Sequence, residues 1–202
     1  LQTFIENLRP IVKCAEQFGV IIAIEPVWKH IVCTVERARK VLDAIDSPNL
    51  QIIFDPVNLL CVDNIDRQDE IINQAFELLG DEIAVVHCKD YVVEGNELKS
   101  IAAGTGSLNY PLLLKKIKEH KPYVHCTLEN TVPENAAATT CNGHGAVDIW
   151  RELLPHSIVF HRKELTMIQI SQIRLKPDSP ETALHQAVYK ALRLSSKDTC
   201  RI

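Results

Sequence analysis

Val20-Ile21-Ile22-Ala23-Ile24-Glu25-Pro26 (residues 20–26) is a run of five apolar residues that ends abruptly in a carboxylate and a proline. A short apolar stretch without polar alternation, bounded by Gly19 and Pro26, reads as a strand buried on both faces, as in a parallel sheet. The pattern recurs three times along the chain. Leu50-Gln51-Ile52-Ile53-Phe54 runs into Asp55-Pro56-Val57-Asn58, and Ile83-Ala84-Val85-Val86 into His87-Cys88-Lys89-Asp90. Tyr123-Val124-His125-Cys126-Thr127-Leu128 runs into Glu129-Asn130.

Helical patterns separate these strands. The opening segment carries Phe4, Ile5, Leu8, Ile11, Val12 and Ala15 on one face and stops at Gly19, a residue suited to the left-handed position after a helix. Thr34 is placed to cap a helix through Ile45, with Ala38, Val41, Leu42 and Ile45 inward. A helix over 67–79 ends at Gly80, and another covers 111–120 with Leu112, Leu113 and Leu114 as core. A polar loop through Gly104-Thr105-Gly106 precedes that last helix.

Strand and helix alternating at a spacing of about 30–40 residues is the signature of right-handed βαβ units, the building block of a (β/α)₈ barrel. Four strands supply half of one. A doubly wound open sheet has the same local pattern, so periodicity leaves both architectures open.

With 46% hydrophobic and 24% charged residues among 202, the chain has the balance of a globular protein with a sizeable core. A net charge of −4 argues against a nucleic-acid or membrane surface as the main partner and favours a small polar ligand. Seven scattered cysteines without a C-x-x-C pair indicate reduced thiols rather than a disulfide framework or zinc knuckle. Without a signal-peptide pattern or an apolar run long enough to span a bilayer, the expected location is cytoplasmic.

In parallel β/α folds, functional groups collect where the strands end, because the loops there meet over a rigid floor. The first polar side chain after each apolar run is Glu25, Asp55, His87 or Glu129. Three carboxylates and an imidazole at one height would repel without a cation. An oxygen-rich set with one nitrogen suits Mn²⁺, Mg²⁺, Co²⁺ or Zn²⁺.

Ala23-Ile24-Glu25-Pro26, Ile53-Phe54-Asp55-Pro56-Val57-Asn58, Val86-His87-Cys88-Lys89-Asp90 and Thr127-Leu128-Glu129-Asn130 together resemble the last four strand ends of the sugar phosphate isomerase/epimerase family, the xylose isomerase-like TIM barrels. Ala103-Gly104-Thr105-Gly106-Ser107-Leu108-Asn109-Tyr110 resembles that family's glycine-rich turn. The resemblance covers residues 1–135 and implies the C-terminal part of a (β/α)₈ barrel, strands 4–7 with their helices. It further implies that Glu25, Asp55, His87 and Glu129 hold one divalent metal and that Glu25 and Glu129 also move protons. A metal bridging a sugar's carbonyl and neighbouring hydroxyl acidifies the α-carbon, so that one glutamate removes a proton and the other returns one through an enediolate. The implied substrate is a sugar or sugar phosphate, isomerised or epimerised.

The chain departs from the family at Asn58, where many members carry histidine, and at Val92-Val93, where some carry a substrate-holding arginine. Asn58 and His30 are candidate substrate contacts; Asp90 and Lys89 are candidates for orienting His87, with Asp90 preferred over a plain surface ion pair. His120 and His125 read as structural, and Gly104 and Gly106 form a short loop that could receive a phosphate.

Beyond about residue 136 the pattern stops, and residues 136–166 read as an irregular linker, out of frame or from a damaged gene end, with a short helix over 149–154 and a short strand over 158–160. Met167-Ile168-Gln169-Ile170-Ser171-Gln172-Ile173-Arg174-Leu175, followed by a helical pattern over 181–194, forms a small strand-helix segment, 167–202, that resembles the N-terminus of bacterial FAD-dependent dehydrogenases. It lacks G-x-G-x-x-G, so flavin binding is not implied. Read this way the chain is a fragment, lacking the first three barrel strands, and its open barrel edge is expected to favour self-association. The competing readings are a non-catalytic remnant of the barrel and, on the same architecture, a multi-zinc apurinic endonuclease. The latter would need more strand-end histidines and a basic surface.

Overall fold

The computed structural model describes residues 1–130; the expected linker over 136–166 and strand-helix tail over 167–202 lie outside the described residues. Four parallel strands, β1 (Ile22–Ile24), β2 (Leu50–Phe54), β3 (Ile83–Cys88) and β6 (His125–Leu128), pair in the order β1-β2-β3-β6. An antiparallel hairpin, β4 (Asp90–Glu94) and β5 (Glu97–Ile101), forms a separate two-stranded sheet. The helices are α1 (Gln2–Phe18), α2 (Val35–Ile45), α3 (Gln68–Leu79) and α4 (Tyr110–His120).

Strand order decides between the two open architectures. A doubly wound sheet reverses direction at a switch point, whereas here each strand of the parallel sheet lies beside the next one in sequence. The chain winds one way and its successive helices pack side by side, α1 on α2, α2 on α3 and α3 on α4. That is an arc of a (β/α)₈ barrel.

Register assigns the faces. Ile24 pairs with Ile52, Phe54 with Val86, and Val86 with Cys126, so these residues share the side covered by helices. Leu50, Ile52, Phe54, Ile83, Val86 and Cys88 are buried there against Val12, Val41, Ile72, Phe76, Leu113 and Ile117. Phe54 meets Phe76 edge to face at 5.5 Å. Each fully buried side chain of this size contributes about 1.5–3 kcal/mol. The alternate set, with Ala23 paired to Gln51 and His87 to Thr127, faces the inside of the arc.

Local chemistry ends the elements where the sequence indicates. Gly19 closes α1 at φ 64°, its N–H reaching back to the carbonyls of Ala15 and Glu16. The Thr34 hydroxyl accepts from the Arg37 N–H at the start of α2, and Asn109 accepts from the Leu112 N–H at the start of α4. Strand β1 is shorter than expected and only half buried, because it is the outer strand of the described sheet and has one neighbour. No described helix is long and apolar enough to cross a membrane.

The hairpin was not expected from the sequence. Its return through residues 102–108 is pinned by Asp90, whose Oδ1 accepts from the N–H groups of Tyr91 and Leu108, both at 2.8 Å, and whose Oδ2 accepts from Gly106 at 2.9 Å. A Cβ on Gly106 would overlap the Tyr91 carbonyl oxygen and stand 2.6 Å from Asp90 Oδ1. Gly95, in the hairpin turn at φ 63°, has open space around it. Gly106→Ala is therefore expected to cost about 2–3 kcal/mol through overlap, and Gly95→Ala only about 1 kcal/mol through backbone strain, in urea unfolding.

Candidate metal centre

Parity sets the first step in building the site. Ala23, Ile53 and Val85 face the inside of the arc, so two positions further along each strand Glu25, Asp55 and His87 face the same way. Thr127 pairs with His87, which carries Glu129 to that face as well, and the Glu129 N–H is held by the Cys88 carbonyl at 3.0 Å.

Curvature gathers Glu25, Asp55 and His87 and sets Glu129 against His87. Across a flat sheet, β1 and β6 would lie three strand spacings apart, about 14 Å. Glu25 Oε1 and Glu129 Oε1 nevertheless both reach His87 Nδ1, at 3.2 Å and 3.0 Å. Glu25, Asp55 and His87 offer donor atoms that all lie within 4.8 Å of one another.

Asn58 stands in a one-turn 3-10 helix, Val57–Leu59, directly after the strand-end Asp55-Pro56. Its backbone N–H donates to Asp55 Oδ1 at 3.1 Å and its side-chain amide donates to Glu25 Oε1 at 2.8 Å. It therefore ties the first two acids together. The Asn58 carbonyl in turn accepts from the Trp28 N–H at 2.7 Å, anchoring the loop after β1.

Lys89 is the residue that the sequence reading underrated. It is 7% exposed, and its ammonium lies 2.8 Å from Asp55 Oδ2 and 3.1 Å from Glu129 Oε2. Asp90, expected to orient His87, instead spends its carboxylate on the backbone of residues 91–108. Alternation explains the exchange: Lys89 is two residues beyond His87 and shares its face, while Asp90 takes the opposite one. That parity was the available signal. The same bonds correct the phosphate reading of the glycine loop, since the Gly106 and Leu108 N–H groups already serve Asp90. His30 is exposed on the loop after β1, and the His120 ring lies tilted against Phe76, centroids 5.7 Å apart.

Charge states follow from these contacts. Burial works against a protonated His87, but the Glu129 and Glu25 carboxylates outweigh it and raise its pKa to about 9. The His87 contact holds Glu129 down at about 2, burial opposing and Lys89 assisting. Burial raises Asp55 to about 6 although Lys89 pulls it down.

The residues fit a divalent cation. His87 Nδ1 and Nε2 are both buried without a well-directed hydrogen bond, Nδ1 even with two carboxylates at ion-pair distance. Such atoms are costly unless a stronger partner engages them. Glu25, Asp55, His87 and Glu129 would hold the ion as a mixed oxygen and nitrogen donor set.

A cation must displace the proton that the metal-free site keeps on His87 below pH 9. Calorimetry with Mn²⁺ at pH 7 in two buffers of different ionisation enthalpy is expected to find about one proton released per ion. Affinity should strengthen as pH rises toward 9, and proton release should fade above it.

Comparison with known proteins supports this architecture. Two curated relatives align with part of the chain. A 3-oxo-isoapionate decarboxylase of Pectobacterium atrosepticum is 32% identical over 108 residues, 50% of this chain and 37% of the relative. A probable L-ribulose-5-phosphate 3-epimerase of Mycoplasma pneumoniae is 24% identical over 139 residues, 69% of this chain and 43% of the relative. The chain thus spans less than half the length of either. Among solved structures, a xylose isomerase domain protein from Planctomyces limnophilus superposes with a TM-score of 0.51 at 18% identity, over 62% of this chain and 43% of that one. Residues 1–152 match the family described as the xylose isomerase-like TIM barrel, and the chain belongs to that family.

Proposed function

We propose that the strand-end cluster is a divalent-metal site serving isomerisation or epimerisation of a sugar or sugar phosphate by proton transfer through an enediolate. The observation that carries this reading is the convergence of Glu25 and Glu129, from opposite sides of the arc, on His87 Nδ1 beside the buried Asp55. The names of the two curated relatives, a decarboxylase and an epimerase, differ in reaction, so the chemistry is read from the site.

A divalent ion held there would supply the positive charge that makes a carbon–hydrogen bond beside a sugar carbonyl acidic. Glu129, ionised because His87 and Lys89 hold its carboxylate low, is a proton acceptor at the start of a cycle. Glu25, fixed by the Asn58 amide at 2.8 Å, approaches from the other side and is the partner that returns a proton, one it takes up from solvent, while Glu129 releases the abstracted proton to solvent to close the cycle. Return to the opposite face of the same carbon inverts it; return to the adjacent carbon moves the carbonyl. Asn58 and the exposed His30, on the loop after β1, are the candidate substrate contacts.

The test has two stages. Stoichiometric Mn²⁺ or Co²⁺ binding by the chain, weakened about a hundredfold or more in Glu129→Gln, establishes the site. Incorporation of solvent deuterium into a panel of ketoses and ketose phosphates, slowed about a thousandfold in Glu25→Gln, establishes the proton transfer. Metal binding with no exchange into any sugar would favour a non-catalytic remnant, and absence of metal binding would overturn the proposal.

A further inference from the structure

The three acids of the site carry more negative charge than one divalent cation cancels, and a buried lysine sits among them. Lys89 is set between β3 and β4, where the chain leaves the parallel sheet for the hairpin. Its position is built rather than incidental. Its carbonyl accepts from the buried Tyr110 hydroxyl at 2.9 Å, and its neighbour Asp90 is locked onto the loop backbone. The ammonium reaches one oxygen of each of two acids, Asp55 Oδ2 and Glu129 Oε2, and leaves the other oxygens to face elsewhere: Asp55 Oδ1 toward Asn58, Glu129 Oε1 toward His87.

We infer that Lys89 is a positioning residue that reserves one oxygen of Asp55 and one of Glu129, so that each acid can offer a bound cation a single oxygen. The inference rests on the metal-site reading above. Six-coordinate ions such as Mn²⁺ or Mg²⁺ that receive one atom from each of four side chains keep about two positions for ligand oxygens. A carboxylate free to grip with both oxygens would fill those positions. Lys89 thus supplies charge balance, since three carboxylates facing a divalent ion leave one negative charge over. It also holds the site open toward a substrate that offers two neighbouring oxygens.

The sign of the expected effect separates this role from mere packing. Removing a like charge beside the ion should tighten Mn²⁺ binding by about tenfold in Lys89→Met, while the metal-free protein melts lower because the buried Asp55 and the half-buried Glu129 lose their counter-ion. Water-proton relaxation should show fewer exchangeable waters on bound Mn²⁺ in Lys89→Met than in the unsubstituted chain, and Lys89→Arg should restore both affinity and water number. If Lys89→Met does not fold without metal, Lys89→Gln is measured in the same way. Equal or weaker Mn²⁺ affinity in the neutral variant, or an unchanged water number, overturns the inference while leaving the metal site standing. Failure of the unsubstituted chain to bind Mn²⁺ overturns both.

Discussion

Carboxylates drawn to within hydrogen-bond reach of one imidazole repel one another, and the strand ends have to be held against that repulsion. Glu25, Asp55 and Glu129 arrive on three different strands, and the groups that make their convergence tolerable are all local: the His87 ring between two of them, the Lys89 ammonium between two, and Asn58 across two, through its side-chain amide to Glu25 and its backbone N–H to Asp55. None would suffice on a flexible scaffold. The positions are fixed because Leu50, Ile52, Phe54, Ile83 and Val86 on the opposite face are locked into the helical layer, so the strands cannot slide or splay to relieve the charge. The apolar face supplies the rigidity that the polar face consumes.

The hairpin belongs to the same arrangement. By leaving the sheet after Cys88, the chain turns Asp90 away from the acids and gives it three N–H donors of its own, which removes a fourth carboxylate from an already crowded site. Gln68 at the start of α3 then clamps the far side, its amide donating to the Tyr91 hydroxyl and the Ser107 carbonyl while its oxygen accepts from the Asn109 N–H. The glycine-rich turn is therefore a brace behind Lys89. Gly106 is required there for closeness to Tyr91 and Asp90, not for access by an anion.

Much of this was legible in the sequence, and the reason is periodicity. A strand covered by helices on one face and by the barrel interior on the other shows as an apolar run, and its first polar residue marks the end at which a parallel sheet gathers function. That logic located Glu25, Asp55, His87 and Glu129, whereas it stopped short at Lys89 because neighbours in sequence were treated as neighbours in space. The hairpin escaped for a different reason. Residues 90–101 carry Glu94, Glu97 and Lys99 on short, mostly exposed strands, so they lack a buried-strand signature; the turn residues Gly95-Asn96 between them were the remaining cue. Strand β1 ran shorter than its apolar stretch because an outer strand forms ladder bonds only where its single neighbour lies alongside.

Sequence periodicity could not choose the barrel arc over a doubly wound sheet, yet the site depends on that choice. In a doubly wound sheet helices cover both faces, and side chains from strand ends meet in a crevice only where the order reverses. Among the described residues the order does not reverse, so each described helix falls on one side and the alternate face of the four strands is free to curve inward. Curvature then lets outer strands do what adjacent strands do in a flat sheet: Glu25 from β1 and Glu129 from β6 touch the same nitrogen. One carboxylate on each flank of a single buried imidazole nitrogen is an arrangement that a flat sheet of the same residues in the same register would not produce.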